Sequence, residues 1–171
     1  MGAMATNLEH TVSYPFSTDR LWEVVTTEQY WHDLIAAINH GKGVLESFSH
    51  DGDTVVVVCR QVVDENKLPS VVTKVRGGDL VIPRRTVLRR AAPGGAVTGE
   101  LTATVEGAPA KVDGSQVSDG DPSSTRYTAA IAVSIPLFGG KIEKAIGEQL
   151  FELLDAERDE TLNWEAGNRQ R

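Results

Sequence analysis

The sequence predicts an α+β domain in which a curved antiparallel β-sheet wraps around one long C-terminal α-helix, with two short helices after the first strand. Three observations predict it. Apolar residues recur with helical period in residues 18–38 and again beyond residue 140. Between these stretches the period is 2, and turn residues punctuate the alternation at hairpin spacing. Strands joined in this way form a meander with one wet and one apolar face, and the terminal helix is the element able to cover the apolar one.

The first strand is residues 8–16, with Leu8, His10, Val12, Tyr14 and Phe16 on one face and Glu9, Thr11 and Ser13 on the other. Ser17-Thr18-Asp19 supplies capping side chains for a helix carrying Leu21, Trp22, Val24 and Val25. Thr26-Thr27-Glu28-Gln29 has the form of a capping box for a second helix, in which Tyr30, Leu34 and Ile38 recur at helical spacing beside Trp31 and Ile35. Gly41 sits where that helix would stop.

Strands follow over residues 44–49 and 54–63, joined by His50-Asp51-Gly52-Asp53 as a tight turn. Residues 68–78 are a loop or a short helical turn. Residues 80–90 form a strand in which Pro83 places one side at an edge or bulge. The clearest alternation sets Val97, Gly99, Leu101, Ala103 and Val105 against five polar residues. Residues 110–118 and 126–135 are the last strands, the latter with Tyr127, Ala129, Ile131, Val133 and Ile135 on its apolar face. Residues 141–164 form an amphipathic helix on the order of 36 Å long, with Ile142, Ile146, Leu150, Leu153 and Leu154 in one stripe.

Gly139-Gly140-Lys141 at the head of this helix is not a phosphate loop. That motif requires a glycine at position 135 and Ser or Thr at 142, and both positions are isoleucine. The two glycines read instead as a flexible entry through which the helix turns back over the sheet.

Composition narrows the function. A chain of 171 residues suits one domain. Met1–Met4 reads as a vector remnant or disordered start, residues 5–167 as the domain and 168–171 as a tail. A net charge of −7 opposes broad nucleic-acid binding, which needs basic surfaces. No apolar run approaches membrane-spanning length, so no stable membrane insertion is expected, and the absence of an export pattern points to a cytoplasmic protein. One cysteine, Cys59, excludes an internal disulfide, and His10, His32, His40 and His50 lack metal-ligand spacing, so no metal or other cofactor is expected. The oligomeric state is left open. Lys74, Arg76, Arg84, Arg85, Arg89 and Arg90 crowd one segment. They are either a solvated, charged edge strand or a cationic rim, formed by Arg84, Arg85, Arg89 and Arg90, that attracts an anionic group or an acidic partner.

Small residues stand at positions expected to face the helix: Gly99, Ala103, Ala110, Gly114 and Ala129. On the inside of a curved sheet they allow either a close helix approach or a hollow, and a hollow lined this way favours an apolar guest. The opening stretch VSYPFSTDRLWEVVTTEQYW and the closing stretch RYTAAIAVSIPLFGGKIEKAIGEQLFELLDAERDETLNW, with PLFGGKIE at residues 136–143, resemble START-like (SRPBCC) helix-grip proteins. They are similar in particular to an actinobacterial family within that superfamily that carries a domain-of-unknown-function label. The resemblance covers roughly residues 8–164 and implies a cavity between sheet and helix that takes a lipid, quinone or polyketide-like molecule. It brings no catalytic set with it.

The expected cavity lining is Val12, Tyr14, Trp31, Leu101, Ala103, Tyr127, Ile131, Val133, Ile146 and Leu150. The leading reading is a carrier or sensor of a small hydrophobic ligand, with no catalysed reaction. Two alternatives stay open. A cyclase- or dehydratase-like enzyme would use His10 and Tyr14 as general acid and base, and a protein–protein module would use the arginine-rich segment.

Overall fold

The computed structural model describes residues 5–38, 42–75 and 77–169; the readings made for Met1–Met4, His40, Gly41, Arg76 and residues 170–171 lie outside them. Seven strands form one antiparallel sheet in the order β1-β7-β6-β5-β4-β3-β2. They are β1 (Thr6–Ser13), β2 (Val44–Asp51), β3 (Thr54–Val63), β4 (Leu80–Arg90), β5 (Val97–Thr104), β6 (Ala110–Gly120) and β7 (Ser123–Val133). Helices α1 (Thr18–Val25) and α2 (Glu28–Ala37) follow β1, a short α3 (Ser70–Val75) precedes β4, and α4 (Gly139–Gly167) closes the chain. With 29 residues, α4 runs about 43 Å, enough to cross the whole sheet.

Local chemistry explains most of these boundaries. The Ser17 hydroxyl accepts from the Arg20 amide at 3.1 Å and starts α1. The expected capping box before α2 does not form. Thr26 and Thr27 instead turn their hydroxyls back onto the carbonyls of Trp22 and Glu23, at 2.9 Å each, and so tie off α1. Pro83 lies opposite Arg60 of β3, whereas registered pairing with β5 begins only at Arg84, so one side of the proline is outside the ladder as expected.

The turn into α4 differs from the expectation. Leu137, with φ of 70°, makes the bend and projects into solvent, and Gly139 is already helical. A Cβ at Gly139 would stand 2.7 Å from the Val133 carbonyl oxygen, so this glycine serves close approach rather than flexibility. Two turns further on, a Cβ at Gly147 would collide with Leu8, and its absence lets the helix lie directly on β1.

Both ends of α4 are fastened. Glu143, 3% exposed, accepts from the Thr6 hydroxyl at 2.7 Å and from the Val133 amide at 2.9 Å. At the other end Glu165, 4% exposed, receives Arg20 and Arg169, and the Trp164 indole N–H donates to Asp33. Glu143→Ala leaves the buried Val133 amide without its acceptor, and a loss of about 1–3 kcal/mol is expected. A urea midpoint that falls with an unchanged slope checks it.

The interior is banded along the strands. At one end, Leu21, Trp22, Tyr30, Trp31 and Leu34 of α1 and α2 pack on Val12, Val55, Val57, Leu88 and Val97. At the other, Ile142 and Ala145 of α4 pack on Val63, Leu80, Val105, Ile131 and Val133. Between the two apolar bands, Gln61, Arg84, Thr86, Gln116 and Tyr127 stand at positions whose strand parity points inward.

Candidate functional site

Two adjoining spaces lie between the sheet and α4, on either side of Arg84. The larger, about 60 Å³, is walled by Val63, Leu80, Leu101, Ala103 and Val112 from the sheet and by Ala145, Ile146, Leu150 and Leu153 from the middle turns of α4. Leu68, Pro69 and Val72 form its roof. The Gln149 amide donates to the Lys67 carbonyl at 3.1 Å and fastens this roof to the helix. On the far flank Lys42 pairs with Asp64 and Asp79, and the backbone amide of Glu65 followed by Lys42 holds the Asp79 carboxyl below its usual range. A further apolar void of about 30 Å³ continues beyond Val72 towards Val133 and Ile142.

The second space is a polar chamber of about 40 Å³ under α1 and α2, bounded by Tyr14, Tyr30, Tyr127, Gln116, Thr161 and Glu157. Arg84 lines both spaces and divides them. Its guanidinium donates to Glu157 at 2.7 Å and to the Gln61 side-chain oxygen at 3.3 Å. Burial works against the Arg84 charge, but the Glu157 carboxylate outweighs it and the guanidinium is held even more firmly protonated than usual. The Tyr30 hydroxyl lies 2.7 Å from Thr161 Oγ1, which itself donates to the Glu157 carbonyl at 2.6 Å. Tyr30 is therefore the donor in the first of these bonds. All three phenols are pushed up in pKa, foremost by burial, with Glu157 next for Tyr14, and Tyr14 next for Tyr30 and Tyr127.

The structure sorts the expected residues. Leu101, Ala103, Ile146 and Leu150 line the apolar cavity. Tyr14, Trp31 and Tyr127 line the polar chamber, and Val133 the small void. Val12 and Ile131 are packed into the two apolar bands and reach none of these spaces. Of the small residues, Ala103 and Ala110 border the hollow, whereas Gly99 is filled from both sides, because a Cβ there would meet Leu88 at 2.6 Å and Gln116 at 2.9 Å.

His10 and Tyr14 do not share a site. Helix α4 lies over β1 and covers His10, which stacks on Phe151 at 4.6 Å and bonds to Asp155 at 2.7 Å, outside each of the three spaces. Cys59 is buried, and burial raises its thiol pKa, the reverse of what a nucleophile needs.

The cationic rim requires correction. Arg84 is 7% exposed and interior, because it shares inward parity with Ile82, Thr86 and Leu88. Arg85 and Arg89 point to the exposed outer face. Arg90 folds over the Trp22 ring at 5.3 Å and bonds to Asp19 at 2.7 Å. The four arginines therefore do not form one surface.

Glu157, Tyr30, Gln61, Gln116 and Thr161 were missed as site residues. The signal for Glu157 and Thr161 was present, since 150, 153, 154, 157 and 161 continue one helical stripe. For Gln61 and Gln116 it was strand parity. Among the described residues no group of three or more His, Cys, Asp or Glu could hold a metal ion, and no helix is long and apolar enough to cross a membrane.

A family model described as Protein of unknown function (DUF2505) matches residues 9–164. Uncharacterised proteins of Mycobacterium tuberculosis and Mycobacterium bovis are each 30% identical over 174 residues, covering 96% of this chain and 99% of theirs. Among solved structures, the ZhuI aromatase/cyclase of a Streptomyces species superposes with a TM-score of 0.58 at 15% identity, covering 98% of this chain and 96% of its own. A START superfamily protein from Mycobacterium smegmatis gives 0.51 at 14% identity, covering 92% and 98%. At such identities these two likenesses concern the fold. The chain belongs to the family described as Protein of unknown function (DUF2505), an actinobacterial family with the START-like helix-grip fold.

Proposed function

We propose that the domain binds a small hydrophobic molecule, of lipid, quinone or polyketide type, with its apolar body between the sheet and the middle turns of α4. The observation that carries this reading is the apolar cavity walled by Leu101, Ala103, Ile146 and Leu150. The fold shared with an aromatase/cyclase and with a START superfamily protein supports it. At about 60 Å³ the closed cavity has room for only a few water-sized spheres. A drug-sized guest needs several hundred Å³, so binding has to raise the roof. That roof is the segment from Leu68 to Val72, latched by Gln149.

The test is a thermal-shift screen of lipids, quinones and aromatic polyketides on the intact chain and on Ala103→Trp. A true cavity ligand raises the Tm of the first and not of the second. Stabilisation that survives the tryptophan places the ligand elsewhere and ends the cavity reading. Gln149→Ala removes the latch and should speed ligand association several-fold with little change in Tm, which stopped-flow fluorescence can follow.

A further inference from the structure

Resting on that reading, the polar chamber beyond Arg84 says what kind of end the ligand carries. Several of its hydrogen-bonding groups are already paired. Nη1 of Arg84 is committed to Glu157 and Gln61, Tyr30 to Thr161, Thr161 to the Glu157 carbonyl, and Ser118 to Thr125 at 2.6 Å. The Tyr127 hydroxyl and the Gln116 side-chain amide are left over: like the Thr86 hydroxyl, neither makes a hydrogen bond among the described residues, and both line the chamber. They are direct cross-strand partners on the inward face of β6 and β7. Such partners have Cβ atoms about 5 Å apart, close enough for one ligand atom to reach both.

We propose that the polar end of the ligand is uncharged, a hydroxyl or carbonyl oxygen held jointly by Tyr127 and Gln116 past the Arg84 partition. A phenol and a carboxamide can donate and accept but bring no charge. The one cation in the chamber is already matched by Glu157 at 2.7 Å. A carboxylate or phosphate arriving there would add a second anion beside Glu157, away from water, with no free counter-charge. A neutral oxygen meets two unspent partners and disturbs nothing. The chamber thus selects against fatty acids and phosphorylated lipids and in favour of alcohols, ketones and quinones.

The experiment titrates the intact chain at about pH 8 with decane, decanol, decyl methyl ketone and decanoate, followed by tryptophan fluorescence. Decanol and the ketone should bind at least tenfold more tightly than decanoate, a ratio worth about 1.4 kcal/mol. Tyr127→Phe combined with Gln116→Met should bring decanol down to the affinity of decane while leaving decane itself unchanged. Decanoate binding as tightly as decanol overturns the assignment but leaves the cavity reading standing. Failure of all four probes, decane included, overturns the cavity reading and the assignment with it. The ratio is read on the unaltered chain, so a poorly folding variant does not shield the proposal.

Discussion

Arg84→Met is expected to cost about 3–5 kcal/mol at neutral pH, because it leaves Glu157 buried without its cation. For a chain of this size that lowers Tm by roughly 6–20 °C. Replacing both partners, Arg84→Met with Glu157→Leu, removes the charges together and should restore most of the stability, since a buried pair contributes little net. Equal losses in the single and double variants, by chemical denaturation, would show that the cost is packing rather than an orphaned charge.

The second large effect appears at alkaline pH. Tyr14, Tyr30 and Tyr127 are all the tyrosines in the chain, and each has its pKa raised in the folded state. A raised folded pKa contributes stability that is intact below the unfolded value, about pH 10, and is lost as pH climbs through the folded one. Above about pH 10 the unfolded chain ionises three phenols that the folded chain keeps neutral. Stability should therefore fall by up to about 4 kcal/mol per pH unit. Tyrosinate absorbance should rise in one step, together with loss of the far-ultraviolet circular dichroism of the fold. Smooth titration near pH 10 with the fold intact would place at least one phenol in contact with water.

Much of the fold was legible because its strands are half-buried and alternate. Strands β3 and β4 ran the full lengths that their period-2 stretches indicate, and the long stripe from Ile142 marked α4. The site was legible in its apolar half, where Ala103, Ile146 and Leu150 obey the same periodicities. Its polar half was not legible from residue type alone. Arginines close together in sequence suggest a surface, yet on a strand neighbours face opposite ways, so Arg84 and Arg85 never meet. Glu157 escaped for the complementary reason: a glutamate in an acidic helix suggests solvent, although its spacing from Leu150 and Leu153 places it inside. The separation of His10 from Tyr14 depended on how α4 lies over β1, which is set by a contact between Gly147 and Leu8 far apart in sequence.

The fastenings of α4 at Glu143 and Glu165 make it a beam supported at both ends, with the hollow under the half of the span nearer Glu143. Such a beam does not swing away like a hinged door. Detaching either support would strip a buried carboxylate of its partners, whereas the opposite panel is tied to α4 by the amide-to-carbonyl bond from Gln149. On the proposed reading a ligand enters on the α3 side, and hydrogen exchange should be slowest in the outer turns of α4 and fastest in the panel facing the hollow.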